Sequence, residues 1–417
     1  MSSLYLYDDA RARSFEPFAS ARPISEMTAG VALIRDRWSM VLGVNGGGQF
    51  LAGPRHADFD ESFVQGAVHA RGVVPLGSII ANSRCVPALT HLGLANAGAT
   101  GSRGWQVAGR VAAIRVTEAL ESDIFDGGEL ALGDLLPPSA QLDQIDGWWL
   151  DEVWDFIRLL PEQLSADIAA IAAREADTAA QLPSHVTVLG DAPIVVLGAA
   201  MIEPHVVLDT TPGPILIETG AHVRAFSRIC GPCRIGRDST VLGGEISASS
   251  VGDVSKVRGE LTTSIIVGHS NKSHDGFVGH SYLGRWVNLA AGTITSNLKN
   301  TYGTVAQWTP GGVRDTGMQF LGALFGDHVK TGIGLRLTTG AVIGAGANVY
   351  GNMPPRVVAP FAWGDAPPYA TYHADKFVEA AARAMARRHV ELTDRARRHL
   401  QSMHAGRWTV QPETRDS

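Results

Sequence analysis

From residue 217 to 241 an aliphatic side chain returns at every sixth position, at Ile217, Val223, Ile229, Ile235 and Val241. The period resumes at Phe325, Leu337, Ile343 and Val349, with Thr331 in the one polar slot. An α-helix repeats near 3.6 residues and a strand every two, so a sustained period of six fits a parallel β-helix built of hexapeptide turns. Each turn sends one aliphatic group inward and needs a small residue beside it at the corner. Ala221, Ser227, Cys233 and Ser239 stand four positions after the aliphatic residues, and Gly236, Gly326, Gly332 and Gly344 follow directly after the inward position. A β-sandwich would instead show alternating strands at less regular turn spacing.

The chain has 417 residues, enough for more than one domain. Residues 1–183 carry apolar runs at 3–7, 30–33, 73–80 and 107–115 between acidic and aromatic segments, which predicts an α/β domain. Trp148–Leu160 and the alanine-rich Pro161–Gln181 read as helices leading into the repeats. The hexapeptide signal dominates 184–362, with interruptions at Gly252–Gly279 and Asn297–Met318 that read as loops or irregular turns. A C-terminal extension, 363–417, contains one predicted amphipathic helix over His373–Gln401, whose arginines fit a solvated face.

Composition narrows the function classes. The net charge is −6 and no five like charges run together, which gives no electrostatic case for nucleic acid or an anionic membrane. Met1–Ser14 has neither a cationic start nor an apolar core, and no uncharged apolar run approaches membrane-spanning length, so a cytoplasmic protein is expected. Three cysteines, Cys85, Cys230 and Cys233, are an odd set for a disulfide framework. Cys230-Gly-Pro-Cys233 has the form of a zinc half-site, but no second such pair exists, and Cys233 fills the small-residue slot of the repeat. The pair reads as two small residues in a turn.

The stretch Gly279-His-Ser-Tyr-Leu-Gly284, followed by Val287-Asn-Leu-Ala-Ala-Gly-Thr-Ile-Thr-Ser-Asn297, resembles the acetyltransferase half of bifunctional N-acetylglucosamine-1-phosphate uridylyltransferase/glucosamine-1-phosphate acetyltransferase. With Leu6–Asp9, Phe18–Glu26, Gly30 and Ile34–Trp38, most of residues 1–365 resembles the divergent bacterial sugar-nucleotidyltransferase relatives of that enzyme. The resemblance implies a Rossmann-like nucleotidyltransferase-type domain, then a left-handed β-helix, assembled as a homotrimer with the acyl site between neighbouring β-helices. It implies acetyl-CoA as acyl donor and an amino sugar, amino-sugar phosphate or nucleotide sugar as partner. His280 is then the general base, since an imidazole of ordinary pKa near 6.5 can take the proton of an amine nucleophile. Tyr282, Asn288 and Asn297 match positions that contact sugar or cofactor, and backbone amides around Ala291 would face the thioester oxygen. The chain departs from the pattern at Ala290, where glycine is usual, and at Leu298, where an aromatic residue is usual.

Independently of the resemblance, Lys256, Arg258 and Lys272 lie in the first interruption and suit a sugar phosphate. Arg22 is the N-terminal residue that could grip a phosphate bidentately, or else sit in a structural ion pair. No glycine-rich phosphate loop follows the first apolar run, so Mg²⁺-assisted nucleotidyl transfer would need a divergent site. Two further readings follow. His269, His274 and His280 could hold a metal as in γ-class carbonic anhydrases, or the chain could bind a sugar nucleotide without turnover.

Overall fold

The computed structural model describes residues 3–44, 48–94, 101–175 and 180–409. The N-terminal domain is built on a seven-stranded mixed sheet. Its strands are β1 (Leu4–Tyr7), β2 (Gln49–Leu51), β3 (Val68–His69), β4 (Ile79–Asn82), β5 (Arg103–Val107), β6 (Arg110–Arg115) and β7 (Gln141–Gln144). In space they run β7, β5, β6, β4, β1, β2, β3. The strands from β4 to β3 are parallel, and β6 is antiparallel to both β4 and β5. β1 is buried along its whole length, as expected of a central strand covered on both faces. Helix α1 (Ile34–Leu42) lays Ile34, Trp38, Val41 and Leu42 against the sheet at helical spacing. It stops at Gly43, whose φ of 69° closes a left-handed cap. The Trp148–Leu160 segment is only partly helical: Gly147–Trp149 is a strand paired with Cys85–Pro87, and the helices are α2 (Asp155–Arg158) and α3 (Leu160–Arg174). The two bulky indoles of Trp148 and Trp149 suit the pleated edge better than a helix.

From Thr187 onward the chain winds as a three-faced parallel β-helix. Face 1 is a ladder of nine parallel strands from Ile194–Val196 to Val357–Val358. Its inward row is Val196, Ile217, Ile235, Val251, Ile266, Leu283, Phe325, Ile343 and Val358. Face 2 carries Lys256, Asn271, Asn288 and Lys330 in register, and face 3 carries Glu245, Glu260 and Phe277. Cys233 points into the helix core beside Ile215, and all three cysteines are free.

Coil length explains where the sequence period fades. Ile217 pairs with Ile235, eighteen residues on, which is three hexapeptides. The next coils are shorter: Ile235 to Val251, Val251 to Ile266 and Ile266 to Leu283 span sixteen, fifteen and seventeen residues. The Gly252–Gly279 segment is therefore not a loop. It is regular coil, with strands Lys256–Thr262, Ile265–Gly268, Asn271–Lys272 and Phe277–Gly279, and residues trimmed at the corners shift the phase of the repeat. The true excursion lies in the coil from Leu283 to Phe325. It leaves face 3 after Asn297, carries a hairpin of Ala306–Thr309 and Gly312–Asp315, and returns where Phe320 bridges Leu298.

Face 1 is covered on its outer side by the N-terminal domain. Its outward residues Val195, Leu216, Ile265, Tyr282 and Leu324 belong to the same core as Phe18, Ile24, Trp38 and Phe156. Strand alternation thus gives one ladder two buried faces. Across this contact Arg22 donates to Asp327 Oδ2 at 2.9 and 2.6 Å and to both oxygens of Glu61 at 2.7 and 3.2 Å. Among its described residues the C-terminal extension carries two helices, α4 (Ala374–Ala386) and α5 (Asp394–Ala405), where a single helix over His373–Gln401 is expected. His389 turns at φ 58°, and the Thr393 side chain starts α5 by accepting from the Ala396 amide. The pair ties the two domains together: His399 Nε2 sits 2.7 Å from Ala21 O, and Arg388 donates to Asn271 Oδ1 at 2.5 Å.

Candidate functional site

His280 occupies the corner between face 3 and face 1, one residue after Gly279. One and two coils earlier the same corner is Thr263 and Ala248, and all three have positive φ, +44°, +46° and +48° for Thr263, Ala248 and His280 respectively. The left-handed conformation is thus a property of the corner and not a strain peculiar to the histidine. The backbone is pinned from both sides, with His280 N donating to Thr262 O and Gly322 N donating to His280 O, each at 2.9 Å.

The side chain is set by the two legs of the excursion. Asn297, where the chain leaves face 3, places its amide 2.9 Å from His280 Nδ1. Phe320, where it returns, stacks on the imidazole at 5.3 Å between centroids and 23° between planes. Burial alone lowers the His280 pKa to about 4, so the ring is neutral at pH 7. Its Nε2 has no protein hydrogen-bond partner among the described residues. The tautomer follows from the Asn297 amide. With Nδ2 toward the ring, Nδ1 accepts and Nε2 carries the proton; with the amide turned over, Nδ1–H donates to Oδ1 and Nε2 presents a lone pair. Only the second arrangement lets Nε2 take a proton from a substrate.

The other expected residues fall into three places. Tyr282 is fully buried in the interdomain core, its hydroxyl accepting from Thr28 N at 2.8 Å and donating to Thr28 O at 3.0 Å. Being outward on face 1, it is sealed by the N-terminal domain and is a packing residue rather than a sugar contact. Arg22 is likewise fully buried between Glu61 and Asp327, the structural ion pair and not a phosphate grip. Asn288 and Lys256 lie on face 2, where Asn288 Oδ1 accepts from Asn271 at 3.3 Å, away from the His280 corner.

Arg258 and Ala291 meet in a groove of about 630 Å³ at the corner between faces 2 and 3, with Arg224, His274, Asp275 and Ile294. Arg258 pairs with the exposed Asp275 at 3.1 Å. Lys272 underlies the same corner, its Nζ donating to Arg258 O and His274 O at 2.7 and 2.8 Å; burial lowers its pKa to about 8. The groove's Gly276 and His280 flank the strand Phe277–Gly279, four residues and roughly 13 Å apart at strand rise. Neither Phe320 nor the groove's Arg224 was flagged by the repeat, because the first sits in the excursion and the second in an outward slot that the period does not mark.

The three-histidine metal reading is not supported. His269, His274 and His280 follow one another around a single coil, so each stands at a different corner, and His269 is buried with Nδ1 against Arg285 at 3.1 Å. Among the described residues no group of three His, Cys, Asp or Glu side chains is placed to hold a metal.

The N-terminal sheet presents a second site at its carboxyl edge, where ligands of open α/β sheets bind. Asp9, just after β1, accepts from Arg84 at 2.6 and 2.8 Å, from Asn82 at 2.9 Å and from the Ala12 amide at 2.9 Å. Asp8 is buried and its carboxyl is raised to about 6 by desolvation. Asp151 is bracketed by Arg84 at 3.1 Å and Arg110 at 2.9 Å. Glu152 is bracketed by Arg11 and by Arg314 from the excursion hairpin, the latter at 2.7 Å. Each exposed carboxylate here is already matched to guanidinium, so the residues present do not fit a divalent cation.

Comparison with known proteins agrees with this architecture. The chain is 36% identical over 91 residues, 22% of its length, to the bifunctional sugar-1-phosphate nucleotidylyltransferase/acetyltransferase of Sulfurisphaera tokodaii. It is 32% identical over 122 residues, 29% of its length, to the bifunctional protein GlmU of Methanococcus vannielii. These matches span 23% and 28% of those relatives, about a quarter of each. No helix among the described residues is long and apolar enough to cross a membrane. The sugar nucleotidyl transferase family model matches residues 4–176, the stretch that holds the seven-stranded sheet with its helices, so the N-terminal domain is similar to that family.

Proposed function

We propose that the β-helix is a left-handed acyltransferase domain that moves an acetyl or related acyl group from a coenzyme A thioester to the amine of a sugar or sugar phosphate, with His280 as general base. The observation that carries this reading is the His280 corner. A neutral, half-buried imidazole is fixed through Nδ1 by Asn297 and through its face by Phe320, with Nε2 free of protein partners among the described residues. With the Asn297 amide turned so that Oδ1 accepts from Nδ1–H, Nε2 takes a proton from the amine nitrogen as that nitrogen bonds the thioester carbon and the coenzyme A thiolate leaves, and such a base contributes about 10²–10⁴ in rate. The low pKa makes His280 a weak base that is fully available at neutral pH.

Acyl transfer also needs donors for the thioester oxygen and a seat for the cofactor. Within one chain the Ala291 groove and His280 are on different corners, so both can serve one reaction only if a second copy brings its groove to the first copy's histidine. The reading accordingly includes a homotrimer with its acyl site between β-helices. Arg258 and Arg224 give the groove the positive charge that a coenzyme A phosphate would meet. The N-terminal domain supplies recognition of the nucleotide or sugar phosphate, in keeping with the names of the two relatives. Thiol release from acetyl-CoA across a panel of amino sugars and their phosphates tests the reading. Release that depends on an amine acceptor is expected; no release with any acceptor, from folded oligomeric protein, would remove acyl transfer from consideration.

A further inference from the structure

His280 is held through Asn297, and the strand leading to the histidine carries what holds Asn297 in turn. Along Phe277–Gly279 the side chains alternate, with Val278 buried in the helix core and Phe277 and Gly279 on the outer side of face 3. In the coils before it, the column that reaches Gly279 carries Cys230, Ser247 and Thr262. Gly279 is therefore a break in a row of side chains, and the break falls on the coil of the histidine. The backbone does not require it, since the φ of Gly279 is outside the left-handed region. Space does. A Cβ on Gly279 would stand 2.4 Å from Phe277 Cζ, 2.9 Å from Phe277 Cε1 and 2.7 Å from Asn297 Nδ2. Those distances are well inside the roughly 3.5–4.0 Å of an unstrained contact. The ring of Phe277 and the amide of Asn297 thus share the room of one missing side chain. Gly279 N donates to Thr295 Oγ1 at 3.1 Å and fixes the spacing of the two coils there, and the same Asn297 Nδ2 lies 2.9 Å from His280 Nδ1.

We propose that Phe277 is the positioning residue of the His280–Asn297 pair: its ring, seated over Gly279, stops the swing of the Asn297 amide and so holds His280 in one tautomer. The χ2 torsion of an asparagine is broad and roughly two-fold, so nothing within Asn297 fixes the plane of its own amide. A neighbour must do so. Phe277 abuts the amide from the strand while Phe320 stacks on the imidazole from the excursion, and the pair is bracketed by two aromatic rings. Without the Phe277 ring the amide turns freely, and the neutral imidazole exchanges its proton between Nδ1 and Nε2. The consequence for turnover rests on the acyl-transfer reading; the effect on the ring does not.

The test reads the ring and the reaction separately. Nitrogen-15 NMR of the full chain labelled at histidine, near pH 7, should show one pyrrole-type and one pyridine-type nitrogen for His280, assigned by their loss in His280→Gln. In Phe277→Ala the two shifts should move toward each other as the tautomers interconvert. Gly279→Ala, which puts a methyl group into the shared room, should shift the same signals, and Phe277→Leu, which keeps apolar bulk, should fall between wild type and Phe277→Ala. In acetyl transfer to an amino sugar, Phe277→Ala should lower kcat roughly three- to tenfold with a smaller change in KM. Because Phe277 acts through Asn297, the double variant Phe277→Ala/Asn297→Ala should turn over no more slowly than Asn297→Ala alone. Unchanged His280 signals in Phe277→Ala, or losses that add in the double variant, would overturn the proposal. Wild-type protein without acyl transfer, whose ring signals still respond to Phe277→Ala, would remove the acyl-transfer reading and uphold the role of Phe277.

Discussion

Replacing Asp327 with alanine probes the joint between the two domains. Asp327 Oδ2 takes two bonds from Arg22, at 2.9 and 2.6 Å, and Oδ1 takes the Arg285 amide at 2.9 Å. Arg22 is fully buried, so the substitution leaves a guanidinium with only half of its counter-charge and no water to replace the rest. Glu61 remains, at 2.7 Å, and is shared with Arg285 at 3.0 Å. Burial pushes the Glu61 carboxyl up, but Arg22 and Arg285 outweigh it and hold it down at about 2, so Glu61 stays charged and partly compensates. Breaking one side of such a buried network costs about 3–5 kcal/mol, and the surviving partner puts Asp327→Ala near the lower end. Because Arg22 is in one domain and Asp327 in the other, the loss falls on their docking. Urea unfolding followed by tryptophan fluorescence, which sees the buried Trp38 and Trp105, should then precede unfolding followed by circular dichroism. The double variant Arg22→Met/Asp327→Leu should be milder than Asp327→Ala by about 1 kcal/mol or more, since no unpaired charge remains. A loss below about 1 kcal/mol for Asp327→Ala with coincident transitions would refute the assignment of Arg22 to structure.

Other expectations follow from the same geometry. His269 is lowered to about 3 and His280 to about 4, each first by burial, while the unfolded chain protonates them near 6.5. Folded values below unfolded ones mean that these groups' stability is present above pH 6.5 and is lost as pH falls toward 4. His269 alone should account for about 2 kcal/mol between pH 6.5 and 5, and a urea midpoint that is constant over that interval would contradict this. Asn297→Ala should lower kcat at least roughly tenfold with a smaller change in KM, because the tautomer is no longer fixed. Asn297→Asp places a carboxylate beside Nδ1, where it accepts from Nδ1–H, and should move the acid limb of kcat/KM upward. Phe320→Ala exposes the imidazole and should move that limb toward 6.5, since burial is the one cause of its shift.

The sequence made the scaffold legible wherever coils are three full hexapeptides. It misled where coils are shorter, because a corner trimmed by one to three residues changes the phase of the pattern without changing the ladder. The period itself carried information on site grouping. Residues five or six apart in a three-faced helix stand at successive corners, which separates His269, His274 and His280 and would have dismissed a shared metal from spacing alone. Tyr282 shows what the period cannot tell: it names the outward row of face 1 but not the domain that covers that row. Arg22 and Asp327 are 305 residues apart, and nothing local announces their pairing. Asn297 stands in a motif that the sequence displays, whereas Phe320 lies in an excursion whose course depends on docking against the other domain.

The most direct measurement is acyl transfer by wild type and His280→Ala under saturating acetyl-CoA and the best amine acceptor, with oligomeric state and fold verified for both. The account predicts a fall in kcat of about 10²–10⁴ in the variant, with acetyl-CoA affinity retained because His280 does not line the groove. Equal turnover by the two proteins would contradict the assignment of His280 as the base, and with it the central claim.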